Sequence, residues 1–149
     1  MILVVDASVA LKWVLKEPDS ATALALLRSS EDLLLPDFWL NEAANVVWGQ
    51  VRRKLWSAER ARAGLTLLQD AVVPMPTTGM GLQSVALDLG LAVNHSPYDC
   101  LYVAFAVAVG ADRVVAADAA FVRAKRSHPS PAVAGLLWTL DEWDKHRSR

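Results

Sequence analysis

The sequence predicts an α/β fold, a three-layer α/β/α sandwich built around a mostly parallel sheet. Short apolar runs of strand length alternate with longer stretches of helical spacing along most of the 149 residues. The runs 2–5 and 114–117 are apolar throughout, as in strands that helices cover on both faces. Hydrophobic residues make up 54% of the chain, enough for one large core. We therefore expect a single domain spanning residues 1–149.

The composition excludes several classes of protein. With 15 Lys and Arg against 16 Asp and Glu, the net charge is −1, which gives no basic field to attract nucleic acid non-specifically. The single cysteine, Cys100, cannot form an intramolecular disulfide. No stretch approaches the roughly 20 apolar residues of a membrane span, and the first residues do not resemble a signal peptide. We expect a cytoplasmic protein without a membrane role.

Hydrophobic periodicity and capping residues set the expected boundaries. The predicted strands are 2–5, 32–35, 72–75, 113–117 and 133–138. The predicted helices are 8–15, 20–27, 38–54, 57–69, 81–89, 96–110, 119–127 and 140–146. Two glycines are predicted to end helices: Gly90 is the predicted C-cap of the helix before it, and Gly110 ends the helix that Ser96 and Pro97 begin.

Four acidic residues fall where this fold would bring them together. Asp6 and Asp118 each follow an apolar strand, and the carboxyl ends of parallel strands meet at the edge where ligands bind. Asp99 lies in the first turn of a helix that begins near that edge, and Glu42 lies inside the long third helix. Each has an ordinary alternative, because an aspartate also caps helices and interacts favourably with the helix dipole.

A cluster of these carboxylates would need a cation. Two like charges 4 Å apart repel by about 4 kcal/mol at an effective dielectric constant of 20, so converging carboxylates must be protonated or bridged. All the candidate ligands are hard oxygen atoms, and no Cys or His cluster has zinc spacing, which points to Mg²⁺ or Mn²⁺. Such a site polarises phosphoryl oxygens and activates water. The pattern therefore predicts metal-dependent chemistry on a phosphodiester.

Four segments also resemble the acidic motifs of a known family. The opening VVDAS, the helix PDFWLNEAANVVW, the stretch HSPYDCLYVAFA and the strand end AADAAF resemble PIN-domain proteins, specifically the short VapC-type toxins of bacterial toxin–antitoxin pairs. The resemblance covers nearly the whole chain in the right order. It implies a metal-dependent ribonuclease with an α/β/α fold, a homodimer, and an antitoxin whose C-terminal tail covers the active site.

The resemblance also assigns roles to individual residues. The acidic metal site would comprise Asp6, Glu42, Asp99 and Asp118, supported by the polar residues Ser8 and Asn45. One position departs from the family pattern, which often has Thr or Ser two residues before the last acid, where this chain has Ala116. We expect this departure to weaken or retune metal binding.

The RNA itself could be contacted by two basic clusters, although charge runs are more often solvated helix faces. These clusters are Arg52, Arg53 and Lys54, and Arg123, Lys125 and Arg126. His95, just before the Asp99 helix, could reach a phosphate or could be an ordinary loop residue.

Two other functions remain open. A catalytically silent binding module would keep the fold and act only through its partner. A phosphoryl-accepting receiver or a phosphatase-like domain also has Asp at strand ends. That function needs a lysine near the site, and the phosphatase needs a second Asp at position 8, which is Ser8 here.

Overall fold

The computed structural model describes the whole chain, Met1–Arg149. Its centre is one four-stranded sheet in the order β2–β1–β3–β4, and every pair of neighbouring strands is parallel. The strands are β1 (Ile2–Val5), β2 (Asp32–Leu34), β3 (Arg113–Ala116) and β4 (Leu137–Thr139). The predicted three-layer α/β/α class is confirmed, since helices flank a sheet that is parallel throughout.

Nine α-helices and one short 3₁₀ turn, Leu11–Trp13, connect and cover the strands. The helices are α1 (Ala7–Ala10), α2 (Ser20–Leu27), α3 (Trp39–Arg52), α4 (Ala58–Ala71), α5 (Leu82–Val93), α6 (Pro97–Val109), α7 (Ala119–Arg126), α8 (Pro131–Ala134) and α9 (Leu140–Arg147). No helix is both long enough and apolar enough to cross a membrane.

The core is one cluster of 31 buried apolar residues. Val4 of β1 and Val114 of β3 are each 0% exposed and face each other in the parallel register of the two central strands. Helices pack on both sides of these strands, which explains why their sequences are apolar at every position rather than alternating. The same burial leaves the polar residues only at the ends of the strands.

The predicted strand 72–75 is wrong. Helix α4 continues to Ala71, and only Met75 pairs with its neighbour, through a single parallel bridge to Pro36. Pro74 and Pro76 flank Met75, and neither has an amide hydrogen to donate to a ladder. A longer strand therefore cannot form along this segment.

The predicted last strand, 133–138, is correct only at its C-terminal end. Residues Pro131–Ala134 form α8, and β4 begins at Leu137. Pro131 occupies the first turn of the helix, where its fixed φ and missing amide hydrogen are favourable. The apolar residues that follow it do not by themselves distinguish a helical turn from a strand.

The predicted C-cap at Gly90 is also wrong. Helix α5 continues to Val93, and Asn94 takes the left-handed conformation at its end, with φ 50°. Position 90 requires a glycine because the backbone of His95 packs against it, and a Cβ there would lie 2.6 Å from the backbone oxygen of His95. The start of α6 can therefore pack closely on α5. At the other end of α6, Gly110 is the C-cap as predicted, with φ 66°.

Candidate active site

All four predicted acidic residues line one pocket of about 250 Å³ at the carboxyl-terminal edge of the sheet. Asp6 follows β1, Asp118 follows β3, Asp99 is in the first turn of α6, and Glu42 is in the first turn of α3. Ser8, Tyr102 and Phe121 are among the other residues that line this acidic pocket. The topology thus brings together residues up to 112 positions apart, counting from Asp6 to Asp118.

Asp6 lies on the inner side of the acidic pocket. It is the N-cap of α1, and its Oδ2 accepts hydrogen bonds from the backbone N of Ser8 at 2.9 Å and from the Ser8 hydroxyl at 2.5 Å. Burial raises the pKa of Asp6, and the charges of Asp99 and Asp118 raise it further, while the bonds from Ser8 act in the opposite direction. The charged form is therefore costly in the absence of a counter-charge.

Ser8 connects the ends of the two central strands. Its hydroxyl donates to Asp6 and accepts a bond from the backbone N of Ala117 at 3.0 Å, directly before Asp118. This contact links the Asp6 carboxylate to the backbone directly before Asp118. The supporting role predicted for Ser8 is consistent with this position. Ala116, which replaces the more usual hydroxyl residue, is fully buried in β3.

Glu42 forms the second acidic group of the inner side. Its Oε1 accepts a hydrogen bond from the Tyr102 hydroxyl at 3.0 Å. Burial raises the pKa of Glu42, as do the charges of Asp6 and Asp99, whereas the bond from Tyr102 lowers it. Burial also raises the pKa of Tyr102, so this hydroxyl keeps its proton and acts as a donor.

Tyr102 is a site residue that the sequence reasoning missed. It lies three positions after Asp99 on α6, on the same face of the helix. That spacing was the available signal, since a residue at i+3 from a site residue shares its face. Its ring also packs edge-on against Phe38, with the ring centroids 5.2 Å apart.

Asp99 and Asp118 lie on the exposed rim of the pocket. Asp118 is the N-cap of α7, and its Oδ1 accepts bonds from two backbone amides of the first turn, at 2.9 and 3.1 Å. Oδ2 of Asp99 lies 3.2 Å from Nδ1 of His95. The His95 ring in turn packs edge-on against Phe121, with centroids 5.9 Å apart. His95 therefore contacts two residues of the pocket, Asp99 and Phe121, although it does not line the pocket itself.

The model of the PIN-domain family matches residues 3–127 of this sequence. The chain belongs to the PIN-domain family. PIN domains are generally nucleases, a class of hydrolases. No curated protein matches the sequence.

Two solved structures share the fold of this PIN domain. The crystal structure of PAE2754 from Pyrobaculum aerophilum superposes with a TM-score of 0.71 at 15% identity, covering 100% of this chain and 91% of that one. The crystal structure of VapBC2 from Rickettsia felis, bound to a DNA fragment from their promoter, gives a TM-score of 0.65 at 17% identity, covering 93% of this chain and 98% of that one.

The donor chemistry of the acidic pocket suits a hard divalent cation. All four acidic side chains offer carboxylate oxygens, and burial makes two of them costly to ionise without a positive charge nearby. No three of the protein's His, Cys, Asp or Glu side chains, however, are arranged closely enough to hold a metal ion as they stand. The residue types therefore fit Mg²⁺ or Mn²⁺, and ligation would require these side chains to move towards one another.

Two predicted residues lie away from the positions expected of them. Asn45 is exposed on α3, one turn after Glu42, and does not line the acidic pocket. The predicted RNA contact by Lys125 is wrong, because this side chain is 0% exposed. Its Nζ has no hydrogen-bond partner and lies 4.7 Å from the centroid of the Phe121 ring. Lys125 lies on the buried side of α7, together with Phe121 and Val122.

The other basic residues remain at the surface. Arg126 is bound to Glu142 at 2.5 Å, and Arg52 lies over the ring of Trp48, 5.3 Å from its centroid. Arg53, Lys54 and Arg123 are also exposed. No lysine lines the acidic pocket, so the structure lends no support to a phosphoryl-accepting receiver.

Proposed function

We propose that this PIN domain is a metal-dependent endoribonuclease, the toxin of a toxin–antitoxin pair, which hydrolyses RNA phosphodiesters. The observation that carries the proposal is the pocket itself, in which one acidic residue from each of the four motifs lines the same edge of the sheet. The similarity of the fold to VapBC2 supports the toxin part of the proposal.

The proposed metal ligands are the aspartates Asp6, Asp99 and Asp118, with Glu42 as a further ligand or as the base for the attacking water. When bound there, Mg²⁺ or Mn²⁺ would neutralise phosphate charge and lower the pKa of a water molecule. A cation also resolves the electrostatic problem of the pocket, since it favours the charged forms of the buried carboxylates.

Glu42 is well placed to act as a base. The Tyr102 hydroxyl bonds only its Oε1, which leaves Oε2 available to accept a proton from water. Burial raises the pKa of Glu42 in the absence of metal, and a bound cation would favour the charged form of this carboxylate, which is the form that accepts a proton. The oxygen of the water forms a bond to phosphorus, the P–O3′ bond breaks, and the 3′ oxygen takes a proton from solvent. The products are a 5′-phosphate and a 3′-hydroxyl.

The test combines cleavage with end mapping. Wild-type protein with Mg²⁺ or Mn²⁺ should cut RNA and leave 5′-phosphate ends, and Asp99→Asn should lose this activity. Asp88→Asn is the matched control, because Asp88 is an exposed aspartate on α5 that does not line the acidic pocket. A 2′,3′-cyclic phosphate product would instead assign the attack to the ribose hydroxyl and overturn this mechanism.

Metal binding can be measured without knowing the RNA sequence. A ligand at about 100 times its dissociation constant stabilises a folded protein by about 2.7 kcal/mol, so Mn²⁺ should raise the unfolding midpoint of the wild type. Asp99→Asn should respond less, and Asp88→Asn should respond as the wild type does. If none of the three proteins responds to Mn²⁺, the metal-dependent mechanism is wrong.

The proposed partners are a cognate antitoxin and a second copy of this chain. An apolar groove on the surface supports both, because contiguous apolar patches often mark protein contacts. On α3 Trp48 is 55% exposed and lines this groove. Light scattering of the purified protein should give the mass of a dimer, and the mass of a monomer would contradict this part of the proposal.

A catalytically silent binding module is the second candidate. One observation favours it: no three acidic side chains are close enough to share an ion as they stand. The two functions differ in the metal experiment, since only the nuclease requires that Mn²⁺ stabilise the fold and that the stabilisation depend on Asp99.

A further inference from the structure

A second cavity opens directly beside the acidic pocket. Its volume is about 420 Å³, within the range of pockets that bind small ligands. It shares Ser8, Leu11 and Asp118 with the acidic pocket, so a ligand that occupies one would continue into the other. We call it the lateral groove. Its far side is formed by the C-terminal half of α3, including Gln50 and Arg53 just beyond its end.

The lateral groove contains one basic group that is not paired with a carboxylate. Lys12 is only 9% exposed, and it forms ion pairs with Glu17 and with Asp19, the latter at 2.9 Å. Its charge is therefore already neutralised. Arg53, in contrast, is exposed, and its only side-chain hydrogen bond within the protein is a long one from Nε to the backbone oxygen of Gly49, at 3.4 Å. Its terminal nitrogens remain free for a ligand.

A glutamine side chain accompanies this free guanidinium. Gln50 is 8% exposed and lines the lateral groove, and its amide forms no hydrogen bond to another residue. Because its amide atoms are not buried, a ligand in the groove can reach them. A glutamine can donate and accept at the same time, which matches the edge of a nucleobase.

We propose that the lateral groove is the subsite for the nucleotide next to the cleaved phosphodiester in single-stranded RNA. Arg53 binds the phosphate of that nucleotide, and Gln50 bonds the edge of its base. This inference rests on the proposed nuclease function, which it extends from reaction to substrate recognition. The arrangement favours a nucleotide over a peptide, because a guanidinium that can bind phosphate and an amide that matches the edge of a base line the same groove.

The test measures binding rather than cleavage. A fluorescein-labelled octaribonucleotide of random sequence is titrated in Mg²⁺ with protein that carries Asp99→Asn to prevent cleavage, alone or together with each further variant, and the anisotropy gives the dissociation constant at several salt concentrations. Arg53→Gln should weaken binding about tenfold and reduce the slope of log affinity against log salt by about 0.7, the loss of one phosphate contact. Arg28→Gln is the matched control. Arg28 is an exposed arginine at the end of α2 that lines neither the acidic pocket nor the lateral groove.

Gln50 is tested separately, because it should affect base preference rather than affinity for the backbone. Gln50→Leu keeps the buried volume and removes the amide. It should leave the salt dependence unchanged and reduce the differences in affinity among octamers of A, C, G and U. The unfolding midpoint of each variant establishes that it is folded. A Gln50→Leu variant with unchanged base preference would overturn the assignment of this residue.

The outcomes separate this inference from the nuclease proposal. If Arg53→Gln binds RNA as Arg28→Gln does, or if neither binds, the lateral groove is not an RNA subsite, and a protein segment becomes its candidate occupant. If RNA binding depends on Arg53 but the wild type cuts nothing in Mg²⁺ or Mn²⁺, the nuclease proposal fails, and the lateral groove remains an RNA-binding site with no cleaved bond beside it.

Discussion

Asp6 and Asp118 show how one local pattern produces two different carboxylates. Each follows an apolar parallel strand, and each is the N-cap of the helix that comes next. Asp6 is enclosed by the protein and its pKa is raised by burial. Asp118 is exposed to solvent, and its Oδ1 accepts bonds from two helix amides. The sequence around each residue does not indicate this difference, which depends on the elements that cover it.

The same contrast divides the whole acidic pocket. Asp6, Glu42 and Tyr102 form a desolvated inner side, where the pKa of each group is raised. Asp99 and Asp118 form a solvated rim. A carboxylate on the inner side is destabilising until a cation or a proton neutralises it, whereas one on the rim is solvated by water. Binding and stability should therefore respond differently to changes at the two sides.

The largest expected effect is on RNA cleavage, which should fall in two variants whose stabilities change differently. Asp6→Asn and Asp118→Asn should each reduce RNA cleavage by about 1,000-fold, since both residues are proposed metal ligands. In EDTA, Asp6→Asn should unfold at a higher denaturant concentration than the wild type, because a buried charge has been removed. Asp118→Asn should change stability little, since asparagine also caps helices well. Parallel cleavage assays and urea unfolding measure the two effects.

If Asp6→Asn and Asp118→Asn change the unfolding free energy equally, the proposed difference between the inner side and the rim is wrong. It is also wrong if Asp6→Asn unfolds more easily than the wild type in EDTA, because the inner charge would then be favourable without metal.

A second prediction disturbs the rim without changing any carboxylate. Gly90→Ala places a Cβ 2.6 Å from the backbone oxygen of His95, at the start of the helix that carries Asp99. The resulting displacement should cost about 1–3 kcal/mol of unfolding free energy. Gly49→Ala is the control, because no atom lies within 4 Å of the new Cβ and alanine favours the helix, so stability should rise by about 0.5–1 kcal/mol. Urea unfolding compares the two, and equal effects would contradict the close approach.

Gly90 also shows what sequence reasoning can and cannot determine. A glycine near the end of an apolar helical pattern predicts a C-cap, and Gly110 confirms that rule. At Gly90 the same residue type serves a close contact with α6, and Asn94 provides the left-handed cap instead. The two uses of glycine differ only in what packs against the residue, so tertiary contacts are needed to separate them.

The candidate site also has one part that the sequence predicts and another part that depends on tertiary contacts. The strand-end positions of Asp6 and Asp118 follow from periodicity and parallel topology, which is why the sequence predicts that they meet at one edge. The hydroxyl of Tyr102 joins the site through Glu42, which is 60 positions away in the sequence. The burial of Lys125 likewise depends on how α7 packs. Local pattern predicts which residues come together, and packing decides how each one is solvated.

The smallest expected effect comes from removing the Tyr102 hydroxyl, which donates to Glu42 on the inner side of the pocket. Tyr102→Phe removes the bond to Glu42 and keeps the ring that packs against Phe38, so it should cost about 1–2 kcal/mol near neutral pH. Tyr98→Phe is the control, because Tyr98 lies on the same helix but is 65% exposed, and it should change stability by less than about 0.5 kcal/mol. Urea unfolding in EDTA measures both.

The pH dependence of this loss identifies its cause. The pKa of Glu42 is already above its unfolded value because of burial, so the native state binds this proton more readily and loses stability as the pH rises through that raised pKa. The Tyr102 bond stabilises the charged form, and removing it raises the pKa further. The deficit of Tyr102→Phe should therefore be smallest at acidic pH and grow towards neutral pH. A deficit that is the same at every pH would indicate lost packing rather than a lost bond to a carboxylate.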